Sequence, residues 1–297
     1  MPFKIATFNV NSIRSRLPVL LEWLEKQRPD VLCVQETKVE DRDFPAAPLE
    51  EAGYRVAFFG QKRWNGVAIL SRHPLSGVSR GLQVAGPPGK PETRNAGPNA
   101  AGSPEEADAS PAGTGVKPAG DAESGGEARL IRAECAGVVI LNAYVPQGRG
   151  VDDPQFAYKL AWLEALGDLL HREHFPAKPL LLCGDLNHVP EPMDVYDPEG
   201  LRGHVCYHPE VDRVFRKLLA WGLTDLFRKC CQEPGQYSFF DYRIPNAVKR
   251  GMGWRLDHIL VTEPLAARAA ACFIDLEPRL KTKPSDHTPV VAEFDHD

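Results

Sequence analysis

The sequence predicts an α/β fold. Short apolar runs bounded by turn residues alternate along the chain with longer segments of helical period. Ile5–Phe8, Val31–Val34, Val67–Leu70, Val138–Tyr144, Leu180–Cys183, Leu256–Val261 and Pro289–Phe294 read as strands. Leu17–Gln27 reads as a helix, because Leu17, Leu20, Leu21 and Leu24 share one face. Pro154–His174 reads as a second, with Phe156, Leu160, Leu163, Leu166 and Leu170 spaced by three and four. Glu210–Trp221 reads as a third. No repeat of solenoid period interrupts this alternation.

The composition breaks at one place only. Residues 85–127 hold 7 Pro, 9 Gly and 9 Ala but no aromatic residue, and Val116 is their only large aliphatic. So little apolar surface cannot offset the entropy of ordering the chain, and the segment is expected to be a disordered loop insertion. The remaining chain shows no second boundary. The expected organisation is therefore one domain over 1–297, interrupted once at 85–127.

The formal charge of −5 argues mildly against a nucleic-acid partner. Its distribution weakens that argument, because the 85–127 segment alone carries −4 and leaves −1 for the rest. No apolar stretch approaches the ~18 residues of a membrane span, so an integral membrane protein is not expected. The seven cysteines are odd in number and contain no CxxC, which points to free thiols in a reducing compartment. The N-terminus has no long apolar core of a secretory signal, so a cytoplasmic protein is expected.

Chemistry is concentrated where strand-like runs stop. Ala6-Thr7-Phe8 ends at Asn9, and Val31–Val34 at Gln35-Glu36. Val139-Ile140-Leu141 leads to Asn142-Ala143-Tyr144, and Leu180–Cys183 to Gly184-Asp185-Leu186-Asn187. Trp254-Arg255-Leu256 leads to Asp257-His258, and Lys283-Pro284-Ser285 to Asp286-His287. A single polar residue at a strand end is more often a turn cap than a ligand. Six such ends offering carboxylates, carboxamides, a tyrosine and a histidine suit a hard cation and phosphate chemistry instead. Phosphodiester hydrolysis needs an aligned, deprotonated water and neutralisation of charge on the phosphoryl oxygens. Glu36 and Asn9 suit a Mg²⁺ site, Asp185 a water-positioning role, and Asn187 a hydrogen bond to phosphate or water. His287, oriented by Asp257, suits a general base or a phosphate donor.

These residues carry a resemblance. Phe8-Asn9, Gln35-Glu36-Thr37-Lys38, Tyr144-Val145-Pro146, Gly184–Asn187, Trp254–Asp257 and Ser285-Asp286-His287 resemble, in order and spacing, the motifs of the exonuclease III family of abasic-site endonucleases. That family lies within the endonuclease/exonuclease/phosphatase superfamily. The resemblance implies a four-layer α/β sandwich, two packed and mainly antiparallel sheets flanked by helices. It implies Mg²⁺-dependent incision 5′ to an abasic site in double-stranded DNA, with Mn²⁺ able to substitute. It also implies 3′–5′ exonuclease and 3′-phosphodiesterase activity on blocked 3′ ends, by a monomer.

By the same resemblance Asn9, Glu36 and Asp286 are metal positions, and Asp185, Asn187 and His287 stand around both metal and attacking water. Tyr144 matches a phosphate-contacting tyrosine, and Asp257 pairs with His287. Phe239, Trp254 and Leu256 match an apolar pocket for the baseless sugar, which excludes normal nucleotides by shape. Arg149 matches a position inserted into the duplex. Asn11 lies near enough to share the role of Asn9. Lys62, Arg63, Arg243, Lys249, Arg250, Arg255, Lys281 and Lys283 would form a basic rim. Two other readings use the same residues: a phosphoesterase acting on a non-DNA substrate, and a DNA-damage binding protein without catalysis.

Overall fold

The computed structural model describes residues 2–84 and 126–295. The expected insertion at 85–127 therefore lies outside the described residues, except for Gly126 and Glu127. The elements run β1 (Phe3–Asn9), α1 (Ile13–Gln27), β2 (Val31–Gln35), α2 (Ala46–Glu51), β3 (Arg55–Phe59), β4 (Val67–Ser71) and β5 (Ser76–Arg80). They continue with β6 (Leu130–Cys135), β7 (Val138–Tyr144), α3 (Pro154–Glu173), β8 (Leu180–Asp185), α4 (Pro209–Ala220) and β9 (Leu223–Asp225). The last are α5 (Leu226–Cys230), β10 (Asp257–Thr262), α6 (Glu263–Ala266), β11 (Ala269–Ile274) and β12 (Val290–Phe294).

The strands form two six-stranded sheets, in the orders β11-β12-β1-β2-β4-β3 and β5-β6-β7-β8-β10-β9. Each sheet has one parallel pair at its centre, β1 with β2 and β7 with β8, and antiparallel pairs elsewhere. Helices α1 and α3 make the crossovers that parallel neighbours require. The two sheets thus repeat one pairing pattern, and the expected layered sandwich is the observed one.

Alternation along the strands explains the layers. Ile5, Val31, Cys33 and Ile69 of one sheet meet Ile140, Leu181, Cys183, Ile259 and Val261 of the other in a buried core between the sheets. The intervening Ala6, Phe8, Leu32, Val34 and Leu70 pack outward against Leu20, Trp23 and Leu24 of α1. On the far side Leu141, Leu182 and Leu260 pack against Phe156, Leu163 and Leu166 of α3 and Val214 and Phe215 of α4. Both faces of the central strands are covered, so they read as continuous apolar runs.

The same two-residue period positions the polar ends. Asn9 continues the inward row of Ile5, Tyr144 that of Ile140, Asp185 that of Cys183, and Asp257 that of Ile259. Register then aligns the rows: Asn9 lies beside Gln35, Tyr144 beside Asp185, and Asp257 opposite Asp185. Asn142 sits one layer deeper than Tyr144, and with Gln35 it joins the sheets. Gln35 Nε2 donates to Asn142 Oδ1 at 2.7 Å, and Asn142 Nδ2 donates to the Val34 and Ala68 carbonyls at 2.9 and 2.8 Å.

Candidate active site

Glycine opens the way for Asp185. Gly184 has φ of +138°, and a Cβ there would lie 1.8 Å from the Ala143 carbonyl oxygen. Only a residue without a side chain lets β7 and β8 approach this closely just before the carboxylate. Beyond the strand ends the backbone takes left-handed conformations at Asn11, Glu36, Lys38 and Asn187, with φ between 45° and 56°. Non-glycine residues adopt this region at a cost, and such strain concentrates at functional sites.

Asn9 is the hinge of the polar cluster. Its Nδ2 donates to Glu36 Oε1 and to Asp185 Oδ2, each at 2.9 Å, and so joins the carboxylates of the two sheets. Its Oδ1 accepts from the Asn11 amide at 3.0 Å. Glu36 also pairs with Lys38, Oε2 to Nζ, at 2.7 Å. Burial opposes the charge of Glu36, but Lys38 and the Asn9 hydrogen bond overcome it and hold the carboxyl below its ordinary value. Asp286 joins through Asn11, whose Nδ2 donates to Asp286 Oδ1 at 2.9 Å and whose Oδ1 accepts from Lys38. Asn11 therefore shares the cluster with Asn9.

On the other side, His287 Nδ1 bonds Asp257 Oδ2 at 2.8 Å, and its Nε2 lies 3.8 Å from Asp185 Oδ2. Burial works against the imidazolium, yet the carboxylates of Asp257 and Asp185 raise its pKa to about 10. Burial likewise raises Asp185 to about 7; His287 works against the rise, and the like charges of Asp257 and Glu36 add to it. Asn187 braces Asp185 through its amide N–H to Oδ1 at 2.9 Å and its Nδ2 to Oδ2 at 3.3 Å. Asn187 Nδ2 also donates to the Val145 carbonyl at 3.0 Å. Burial, followed by the nearby carboxylates of Glu36 and Asp185, pushes the Tyr144 phenol well above its ordinary value.

The donor set fits a hard cation. Ligand atoms of Asp185, Asp257 and His287 lie within 4.8 Å of one another. Asp257 Oδ1 is buried without a hydrogen-bond partner, and the crowded carboxylates exceed the positive charge facing them. Oxygen-rich clusters of this kind suit Mg²⁺ or Mn²⁺.

Phe239 packs against His287, with ring centroids 4.8 Å apart, and pairs with Trp254 through backbone bonds in both directions. Trp254 and Leu256 are buried beside it, and His204 packs on the Trp254 ring at 4.9 Å. Arg149 stands exposed on the turn after Tyr144-Val145-Pro146, with φ of +56°. Arg255 corrects the expected basic rim. It is fully buried, and its guanidinium bonds Asp194 Oδ1 and Oδ2 at 2.6 and 2.9 Å and Asp225 Oδ2 at 2.7 Å. Two carboxylates satisfy the fork and anchor the chain just before Asp257.

Three supporting residues escaped sequence reasoning about individual roles. Ser238 Oγ accepts from the Leu256 and Asp257 amides, both at 3.1 Å. Ser285 Oγ donates to the Asn9 carbonyl at 2.7 Å and accepts from the His287 amide at 3.2 Å. Arg129 stacks its guanidinium over the Tyr144 ring at 4.8 Å. Serine is too common for its sequence position to signal such work.

A fold of two matched sheets with this cluster at one end defines a class, and comparison with known proteins agrees. The model of the endonuclease/exonuclease/phosphatase family matches residues 6–287, and the chain belongs to that family. It is 31% identical to exodeoxyribonuclease III of Haemophilus influenzae, over 98% of this chain and 99% of that protein. An AP endonuclease from Archaeoglobus fulgidus has a similar structure, with a TM-score of 0.83 and 43% identity, covering 99% of this chain and all of that one. So does a 3′ phosphatase from Neisseria bound to a product DNA hairpin, with a TM-score of 0.80, 34% identity and coverage of 99% and 100%.

Proposed function

We propose that this protein is a DNA repair nuclease that uses Mg²⁺ to hydrolyse the phosphodiester 5′ to an abasic site in duplex DNA, with 3′–5′ exonuclease and 3′-phosphodiesterase activity on blocked 3′ ends. One observation carries the reading: two sheets deliver Asn9–Glu36 and Asp185 with Asp257–His287 into a single cluster. The relatives named exodeoxyribonuclease III, AP endonuclease and 3′ phosphatase support the substrate class.

Glu36, Asp286 and Asn9 would hold the cation, with Asp185 and Asn187 on its other side. Once bound, Mg²⁺ neutralises charge developing on the phosphoryl and leaving oxygens. Asp185, its carboxyl raised by burial, is placed to orient and deprotonate the attacking water. His287, charged to about pH 10, serves better as a donor to a phosphate oxygen than as a base. Asp257 holds that imidazolium in place. The half-buried Tyr144 phenol, its pKa raised, stays protonated and donates to phosphate. Phe239, Trp254 and Leu256 shape the sugar pocket, and Arg149 enters the duplex.

The test is incision of a duplex carrying one tetrahydrofuran abasic analogue. Nicking on the 5′ side in Mg²⁺, lost with EDTA, is expected. Asp185→Asn should lower the single-turnover rate by about 10²–10⁴-fold, the usual loss of a general base. No cleavage in either Mg²⁺ or Mn²⁺ overturns the reading.

A further inference from the structure

Lys159 is a lysine sealed from solvent. It lies on α3, its exposure is 0%, and its ammonium donates to three main-chain carbonyls. These are Asn187 O and Val205 O, each at 2.7 Å, and Gln147 O at 3.3 Å. Three protons meet three acceptors. A buried ammonium is costly, and burial lowers its pKa accordingly. Such a group persists only where its bonds fix something.

What it joins is specific. Gln147 lies two residues before Arg149 and three after Tyr144. Gly148 packs on the lysine stem, and a Cβ there would meet Lys159 Cδ at 3.3 Å. Asn187 braces Asp185 from the neighbouring strand end. Val205 is flanked by His204, which packs on Trp254, and by Cys206, whose Sγ donates to Asn187 Oδ1 at 3.7 Å. One ammonium therefore holds the roots of the Arg149 turn, the Asn187 loop and the segment behind the apolar pocket.

We propose that Lys159 is a positioning residue that locks the Arg149 turn to the Asn187–Asp185 brace, so that the DNA-facing loop and the hydrolytic carboxylate keep one fixed geometry. The catalytic part of this inference rests on the nuclease reading above; the coupling of the loops does not.

The experiment compares wild type, Lys159→Met and Lys159→Arg. Lys159→Met keeps the stem and removes the donors, whereas Lys159→Arg keeps charge and donors in a different fork. Amide hydrogen exchange, measured without DNA or metal, should show lost protection in both 145–150 and 186–189 for Lys159→Met, with the central strands unchanged. Single-turnover incision should fall by about 10²-fold, the cost of misplacing a reacting group by about 1 Å. Duplex affinity in EDTA should change far less. In an Asn187→Ala background Lys159→Met should cost less than it does in wild type, because the side-chain half of the brace it positions is already gone. A merely structural lysine would give additive losses instead. Unchanged exchange in the two loops, or full additivity, overturns the proposal. If Lys159→Met does not fold, Lys159→Arg carries the exchange and rate measurements, with smaller losses in the same two loops expected and none overturning the proposal. If wild type itself fails to incise, the nuclease reading falls while the exchange result still decides the coupling.

Discussion

At the residue scale the cluster sets the carboxylates of Glu36, Asp185 and Asp257 against the cations of Lys38 and His287. The sign of the pH dependence follows from the raised pKa values. His287 has a folded value of about 10 against an ordinary 6.5. Its contribution to stability is thus complete below about pH 6.5 and is lost as pH rises towards 10. Asp185, raised to about 7 from 3.8, loses its contribution between those values. Both act in one direction, so the cation-free protein should melt at falling temperature as pH rises across this range. Thermal unfolding in EDTA between pH 6 and 10 checks this, and a flat profile would contradict the assignment. Asp257→Asn removes the strongest attraction on His287, and its profile should lie lower at pH 6–7 and be flatter above. Under the proposed function Mg²⁺ would compete for the same carboxylates. It should raise the midpoint more at pH 8, where they are ionised, than at pH 5.5.

At the element scale the polar joint beneath the site is separable from the chemistry above it. Asn142→Ala leaves Gln35 Nε2 without one of its acceptors and the Val34 and Ala68 carbonyls without a side-chain donor. Buried unpaired groups of this kind should cost about 3 kcal/mol in total. For a chain of this size the midpoint should fall by about 6–12 °C. Single-turnover incision well below the midpoint should stay near wild type, because neither residue touches the reacting groups. This joint also shows what sequence reading reaches. The central strands were legible because both faces are buried, and their ends carried the site. Four of the five unforeseen strands, β3, β5, β9 and β11, are the sheet edges, where exposure dilutes the apolar pattern. The fifth, β6, alternates Arg132 and Glu134 with buried neighbours and adjoins the 85–127 segment. Gln35 and Asn142 were visible as polar strand ends, but only register shows that they tie sheets together rather than face a ligand. Arg255 misled for the opposite reason, since a cation beside a motif gives no sign that two distant carboxylates bury it.

At the scale of the whole molecule, charge is divided unevenly. Residues 85–125 contain three basic and six acidic side chains. The described chain leaves at Val84 and resumes at Gly126, where a Cβ would lie 2.5 Å from the Leu82 carbonyl oxygen. The point of return is close to the site, since Glu127 pairs with Arg129, whose guanidinium covers Tyr144. An acidic stretch tethered there should repel a polyanion approaching the same face, over a distance set by the Debye length of about 10 Å at 0.1 M salt. Replacing 85–125 with a short Gly-Ser linker should therefore tighten binding to an abasic duplex at low salt. The difference should vanish at high salt, where screening removes the repulsion. Stability should barely change, because loop closure costs only about 0.6 kcal/mol per doubling of length and the two ends already meet. Equal affinities at low salt would mean that the acidic residues stay clear of the DNA path. A large fall in the melting midpoint would mean that the segment packs on the fold, and the expected disorder of the insertion would then be wrong.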